Sequence, residues 1–456
     1  MPFDDHSDSR PGELLPVNPL YARAVVNQVP KHRLPDGAMD PDTAFQIVHD
    51  ELLLDGNART NLATFVTTWM EPQGTWLMAE SEDKNMIDKD EYPQTAELER
   101  RCVSMLASLW HSPGEPVGVS TTGSSEACML GGLALKRRWQ QRTGSTARPN
   151  LVMGTNVQVV WEKFCNYFEV EARQVPVEDG RYHLDGPHAA DACDENTIGV
   201  AAILGSTFDG SYEPVAEIAA ALDQLKERDG HDVPIHVDAA SGGMVAPFID
   251  PGLEWDFDVE RVASINASGH KYGLVYPGIG WVLWRDHDAL PGDLVFDVDY
   301  LGGNMPTFTL NFSRPGSQVA AQYYNFIRLG FDGYRAVQQT SRDVARHLAD
   351  AIGAMDEFEL LSDGSELPAF AFRLADGVDA YSAYDVQNRL REYKWIVPAY
   401  KFPKDLDDMH VLRVVVRNGF SRDLADHFKG DLESTVRELE RQAGPVHGEE
   451  AAGFHH

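Results

Sequence analysis

Cysteine is scarce in this chain. Cys102, Cys128, Cys165 and Cys193 are the only four in 456 residues, and no two stand in a CxxC spacing. That excludes a dense disulfide framework or a thiol-built metal site as the organising principle, and points to reduced, buried thiols. Basic residues are also few: 39 Lys and Arg face 71 Asp and Glu, for a formal net charge of −32. Such a surface repels phosphate backbones and argues against a nucleic-acid partner. Long apolar runs are missing as well. Nothing approaches the roughly eighteen uninterrupted apolar residues of a membrane-spanning helix, so no integral membrane association is expected. The opening MPFDDHSDSRPGELLP carries no basic-then-apolar signal pattern, and the expected compartment is the cytoplasm.

What is present suits a large folded protein: 43% hydrophobic and 10% aromatic residues can build a sizeable core. Residues 1–58 are rich in Pro, Asp and Asn and read as an arm, with one helical stretch, PDTAFQIVHDELLLDG. From residue 59, buried runs alternate with helical ones. GSSEACMLGGLALKRRWQQR has helical periodicity, NLVMGT reads as a strand, VQVVWEKFCNYF as a helix and VEARQVPV as a strand. IGVAAILG, EPVAEIAAALDQLKER and VPIHVDAA then form a strand–helix–strand unit. The pattern predicts an α/β domain over 59–335, built on a mostly parallel sheet. Past 335, VARHLADAIGAM, LPAFAFRL, SAYDVQNRLREY and MHVLRVVVR predict a smaller α+β domain over 336–442, followed by a polar tail, 443–456.

Three stretches could carry chemistry. In TTGSSEACMLGG, Gly123, Ser124 and Ser125 stand where a loop becomes a helix; free N–H groups and the helix dipole suit an anion there, although a plain serine cap gives the same pattern. In HVDAASGG, Asp238 ends a strand, where open α/β sheets bind ligands, although it could equally cap the turn that follows. A metal reading with His236 and Asp238 lacks a third ligand, and no metal is expected. In ASGHKYG, Lys271 sits beside His270 at a strand end; a lysine in a dry cleft can attack carbonyls, whereas most lysines are simply solvated. Taken in order, a phosphate cradle, a carboxylate for a pyridine nitrogen and a Schiff-base lysine describe a pyridoxal phosphate site.

GSSEACMLGG, HVDAASGG, SGHKYGL, DYLGG and TLNFSRPGSQV together resemble the pyridoxal-phosphate-dependent group II decarboxylases of the bacterial and plant glutamate decarboxylase type. NLATFVTTWM and KNMIDKDEYPQT are similar to that family's substrate-binding segments, and the resemblance runs from about residue 34 to about 440. It implies the type I aminotransferase fold, with a mostly parallel seven-stranded sheet in the large domain and a smaller α+β C-terminal domain. The implied reaction converts L-glutamate to 4-aminobutyrate and carbon dioxide, using pyridoxal 5'-phosphate as cofactor. Also implied is a homodimer at minimum, with active sites at the subunit interface; bacterial members are often hexamers.

By the same resemblance, Lys271 would hold the cofactor covalently and Asp238 would pair with its ring nitrogen. Ser124 and Ser125 would bind the phosphate with help from His270, and Ser313 would reach the phosphate of a neighbouring subunit. Gln158 would lie over the ring and Thr207 would contact its oxygen side. Thr64, Phe65, Asn85 and Asp88 match residues that recognise the distal carboxylate, and Arg413 matches the arginine near the α-carboxylate. Asp88 beside a substrate carboxylate requires one shared proton, which predicts an acid-shifted activity optimum. Each turnover consumes a proton, so a role in acid resistance is expected.

Bacterial members can also plug the site with a near-terminal histidine; His455 stands in that position, with His456 next to it. Plant members end in a basic, tryptophan-bearing calmodulin segment. The tail here carries Glu449 and Glu450 and no tryptophan, so no calmodulin control is expected. The rival readings are a decarboxylase of the same fold acting on aspartate, cysteine sulfinate or an aromatic amino acid, and a non-catalytic binding protein of that fold.

Overall fold

The computed structural model describes residues 32–298 and 305–442. The chain divides into two units, Met1–Asn57 and Ala58–His456. In the first, the described residues hold one helix, Pro41–Leu52, with Asp40 capping it by accepting from Thr43 N at 3.0 Å. None of its side chains is buried.

The second unit is built on a sheet of seven strands: β1 (Val117–Thr121), β2 (Asn150–Gly154), β3 (Glu171–Val175), β4 (Thr197–Ile203), β5 (Ile235–Asp238), β6 (Val262–Ala267) and β7 (Gly280–Trp284). Their order is β1-β7-β6-β5-β4-β2-β3, and β7 alone runs against the rest. The continuous apolar strands follow from burial on both faces. Along β4, Val200 and Ala202 enter a core with Trp110, Ile235, Val237 and Ile265. Ile198, Ala201 and Ile203 enter another with Trp139, Trp161 and Phe164.

Beyond β7, a ribbon pairs β8 (Phe296–Val298) with β9 (Met305–Thr307). The C-terminal region holds a four-stranded antiparallel sheet of β10 (Phe358–Leu360), β11 (Ala369–Leu374), β12 (Ala399–Lys401) and β13 (His410–Val415), in the order β10-β11-β13-β12. Phe370, Phe372, Leu412 and Val414 pack there against Val386, Leu390, Phe428 and Leu432 from the Ala383–Glu392 and Arg422–Arg441 helices. The expected division at 335/336 falls inside one helix, Ser317–Gly353, which breaks at Gly330 (φ 58°) and supplies both cores: Val319 and Ala321 to the first, Val344, Leu348 and Ile352 to the second.

Strands β1, β2, β4, β5 and β6 are mutually parallel, so the loops after them gather at one edge of the sheet.

Candidate active site

At that edge lies a cavity of about 310 Å³. Ser124 and Ser125 reach it after β1, Gln158 after β2 and Thr207 after β4. Asp238 ends β5, and His270 and Lys271 follow β6. The structure therefore brings together seven of the residues singled out in the sequence.

Asp238 is 4% exposed and held from three sides. Trp161 Nε1 donates to Oδ2 at 2.9 Å; Asn266 Nδ2 and Ala240 N donate to Oδ1 at 2.9 and 3.1 Å. Asn266 is itself fixed by His236, whose Nε2 lies 2.7 Å from Asn266 Oδ1, while Nδ1 lies 2.7 Å from Ser264 Oγ. With both ring nitrogens engaged, His236 offers nothing to a metal. Burial holds its imidazole below the usual range, hence neutral. Gly131 is needed for this packing, because a Cβ there would stand 2.3 Å from the His236 ring.

At the other end of the cavity the Ser124–Thr143 helix begins, and no side chain caps its first turn. Ser124 Oγ lies 2.6 Å from Ser268 Oγ. Lys271 Nζ donates to Ser241 Oγ at 3.1 Å and sits 5.5 Å from the centre of the Phe65 ring. Enclosure pushes its amine below the usual lysine range, against the pull of the Asp238 carboxylate. His270 is held at about 4 by enclosure and by the neighbouring Lys271 charge. Its Nδ1 accepts from Ile279 N at 3.3 Å, which leaves the proton of the neutral ring on Nε2.

Phe65 and Arg413 join this group from outside the sheet. The Arg413 guanidinium lies 4.7 Å from the Phe65 ring centre, and it donates to Ala63 O at 2.6 Å and to Thr207 O. Its Nε is buried without a hydrogen-bond partner. Thr64 Oγ1 accepts from Val66 N at 3.1 Å. Asn85, Asp88 and Ser313 form a second cluster that does not line the cavity: Asn85 Nδ2 donates to Asp88 Oδ2 at 2.9 Å and to Ser313 Oγ at 3.2 Å. Arg314 N donates to Asn85 Oδ1 at 3.1 Å, locking the two loops together. His455, His456 and the DYLGG stretch lie outside the described residues.

Sequence reasoning missed the residues that hold these groups. Trp161, Asn266, Ser241 and Ser268 act through positions distant in the chain; the available signal was a lone polar residue in a buried apolar strand, such as Asn266 in VASINA.

The arrangement fits pyridoxal 5'-phosphate. An uncapped helix start ringed by serine hydroxyls suits the phosphate, and Gly123 keeps space there, since a Cβ would meet His270 Cε1 at 3.0 Å. A fixed carboxylate and an enclosed amine suit the ring and its aldehyde. Fold and site together define a fold-type-I enzyme of pyridoxal phosphate.

Residues 34–375 match the family model described as the pyridoxal-dependent decarboxylase conserved domain, and the chain belongs to that family. It is 50% identical over 453 residues to a glutamate decarboxylase of Aliivibrio fischeri, covering 96% of this chain and 97% of that one. It is also 50% identical over 428 residues to glutamate decarboxylase 5 of Arabidopsis thaliana, covering 92% and 86%. The solved Lactobacillus brevis glutamate decarboxylase superposes with a TM-score of 0.90 at 47% identity, covering 93% of this chain and 98% of that one. A Burkholderia pseudomallei sphingosine-1-phosphate lyase, at 21% identity and a TM-score of 0.78, shares the fold. The chain is a pyridoxal-phosphate-dependent carboxy-lyase.

Proposed function

We propose that this chain is a glutamate decarboxylase, converting L-glutamate to 4-aminobutyrate and carbon dioxide. The observation that carries the reading is the placement of Lys271 and Asp238 in one cavity, in a chain half identical to glutamate decarboxylases over nearly its whole length. Bound in that cavity, the cofactor supplies a conjugated, electron-withdrawing ring that takes up the electron pair left at Cα when carbon dioxide departs.

The chain's own residues do the rest. Lys271 offers Nζ with its affinity for protons lowered by enclosure, as a nucleophilic amine requires. Asp238, oriented by Trp161 and Asn266, has lone pairs left to hold a proton at the ring nitrogen. Ser124, Ser125 and His270 would hold the cofactor's phosphate, and Gln158 and Thr207, which line the same cavity, would contact its ring. Arg413 brings an unsatisfied Nε to the α-carboxylate region. Gripping the distal carboxylate fixes which Cα bond stands perpendicular to the ring, and so which bond breaks. Thr64 and Phe65 grip it from beside Lys271.

Asn85 and Asp88, with Ser313, complete the grip in the cavity of a second copy. None of the three lines this chain's own cavity, and Trp76, Phe296 and Ile327 are exposed apolar side chains that a second copy would cover. The working unit is thus a homodimer, with a hexamer of three such dimers as the larger assembly. The proton consumed per turnover suits activity in acid and a role in acid resistance. No helix among the described residues is long and apolar enough to cross a membrane. We assign the enzyme to the cytoplasm, without calmodulin control.

Side-by-side turnover of glutamate, aspartate, cysteine sulfinate and tryptophan tests the substrate. Glutamate should be preferred, with 4-aminobutyrate as product. Preference for another of the four would overturn the substrate assignment.

A further inference from the structure

The segment 58–68 carries Thr64 and Phe65 past the reactive lysine, and it has little regular structure of its own. Thr67 ties it to the lysine's own peptide: its N donates to His270 O at 2.7 Å and its Oγ1 to Lys271 O at 2.5 Å. Leu62 N donates to Ile396 O, and Leu62 O accepts from Val415 N, both at 2.9 Å. Arg413 holds Ala63 O.

A further hold comes from one side chain that neither the motifs nor the cavity pointed to. Arg417, two residues beyond β13, is 8% exposed. Its Nη1 donates to Val66 O at 3.0 Å and to Thr68 Oγ1 at 2.7 Å. Its Nη2 donates to Ala58 O at 3.3 Å and to Asn61 O. Two acceptors precede Thr64 and Phe65 in the chain, and two follow them. A single guanidinium therefore closes the loop that presents both residues. All four acceptors are neutral oxygens, so the geometry calls for a planar fork with several fixed donors rather than for a charge partner. Lysine, with three donors at one point, cannot reproduce it.

We propose that Arg417 is a positioning residue for substrate recognition: by tying 58–61 to 66–68 it sets where Thr64 and Phe65 meet the substrate side chain. It thereby governs glutamate capture and discrimination by chain length, and leaves the cofactor chemistry to Lys271 and Asp238. The inference rests on the glutamate decarboxylase reading.

The experiment compares wild-type holoenzyme with Arg417→Gln, Arg417→Lys and Thr68→Val. Thr68 is exposed, and its Oγ1 is one of the four acceptors, so its replacement weakens the clamp without opening the core. Three quantities are read: KM and kcat for glutamate and aspartate, the number of cofactor-loaded lysines, and hydrogen exchange across 60–68. Hydrogen bonds from a charged donor are strong, so Arg417→Gln should raise KM for glutamate by roughly tenfold or more. The preference for glutamate over aspartate should fall, while kcat per loaded lysine changes much less. Arg417→Lys should recover part of the loss, Thr68→Val should shift KM less in the same direction, and exchange across 60–68 should quicken in the order of the KM changes. The proposal is overturned if KM, substrate preference and exchange all stay at wild-type values, even with a lowered melting temperature. It is equally overturned if kcat alone falls. If the wild-type enzyme does not turn over glutamate, the functional reading fails by itself, and the exchange measurement still decides whether Arg417 holds the segment.

Discussion

At the scale of single residues, the central object is Asp238. Its two oxygens receive three neutral protein donors, which fix the orientation of the carboxylate, as the proposed pairing with a ring nitrogen requires. Replacing it with Asn keeps the shape and removes the charge. Asp238→Asn should lower kcat by roughly a hundredfold or more, the scale of losing one preorganised electrostatic group, with a much smaller change in KM. Steady-state kinetics on the cofactor-saturated variant check this, and equal loss in both parameters would count against the assigned role. The three candidate stretches stand out in the sequence because each sits at the end of its own strand or the start of its own helix, and the structure brings them to one cavity. The groups that tune them do not stand out. Trp161 comes from a helix start after β2 and Asn266 from β6, and only the parallel sheet brings them to Asp238. His236 read as a ligand candidate because it lies two residues from Asp238 in an apolar strand. The structure turns it into the neutral support of Asn266 instead.

At the scale of elements, the alternation of strand and helix predicted the sheet well, since strands buried on both faces are unmistakable apolar runs. The Ser317–Gly353 helix was read only in its last third, because its first part mixes polar and aromatic residues that satisfy several neighbours. Gln322 and Gln338, for instance, donate to Gly273 O and Tyr272 O. The Pro93–Leu109 helix shows the same limit. No sequence motif marks Glu99 in PQTAELERR, yet it is 7% exposed, and its Oε1 accepts from Ser120 N at 3.0 Å. Arg314 meets it there, donating also to Ser120 Oγ at 2.6 Å. That buried pair anchors the loop of Asn85 and Ser313. Glu99→Gln should strand the Arg314 charge and cost about 3–5 kcal/mol of stability, read as a lower denaturation midpoint. A wild-type midpoint would show that the pair does not anchor the loop.

At the scale of the whole molecule, buried titratable groups tie the stability of the fold to pH. Glu213 is fully enclosed, and burial raises it to about 7 from an ordinary 4.5, even though Ile203 N, Asn156 Nδ2 and Leu184 N all donate to it. The folded chain therefore keeps a proton that the unfolded chain releases. The stability this contributes is full below about 4.5 and is lost as pH rises through 7. His270, held at about 4, works the other way: its contribution is present above about 6.5 and lost as pH falls toward 4. The melting temperature of wild type relative to Glu213→Gln should therefore drop between pH 5 and pH 8. A gap that does not change with pH would contradict this. The net charge of −32, the sequence's most visible feature, bears on solubility and partners and played no part in placing the site.

The account turns on Lys271 working in this cavity on glutamate. The most direct test is release of labelled carbon dioxide from glutamate labelled at its α-carboxyl carbon, measured with the cofactor-saturated enzyme and with Lys271→Ala. The account predicts stoichiometric carbon dioxide and 4-aminobutyrate from the wild type, and release reduced by orders of magnitude in the variant. A wild type that releases none, or a Lys271→Ala enzyme as active as the wild type, would contradict it.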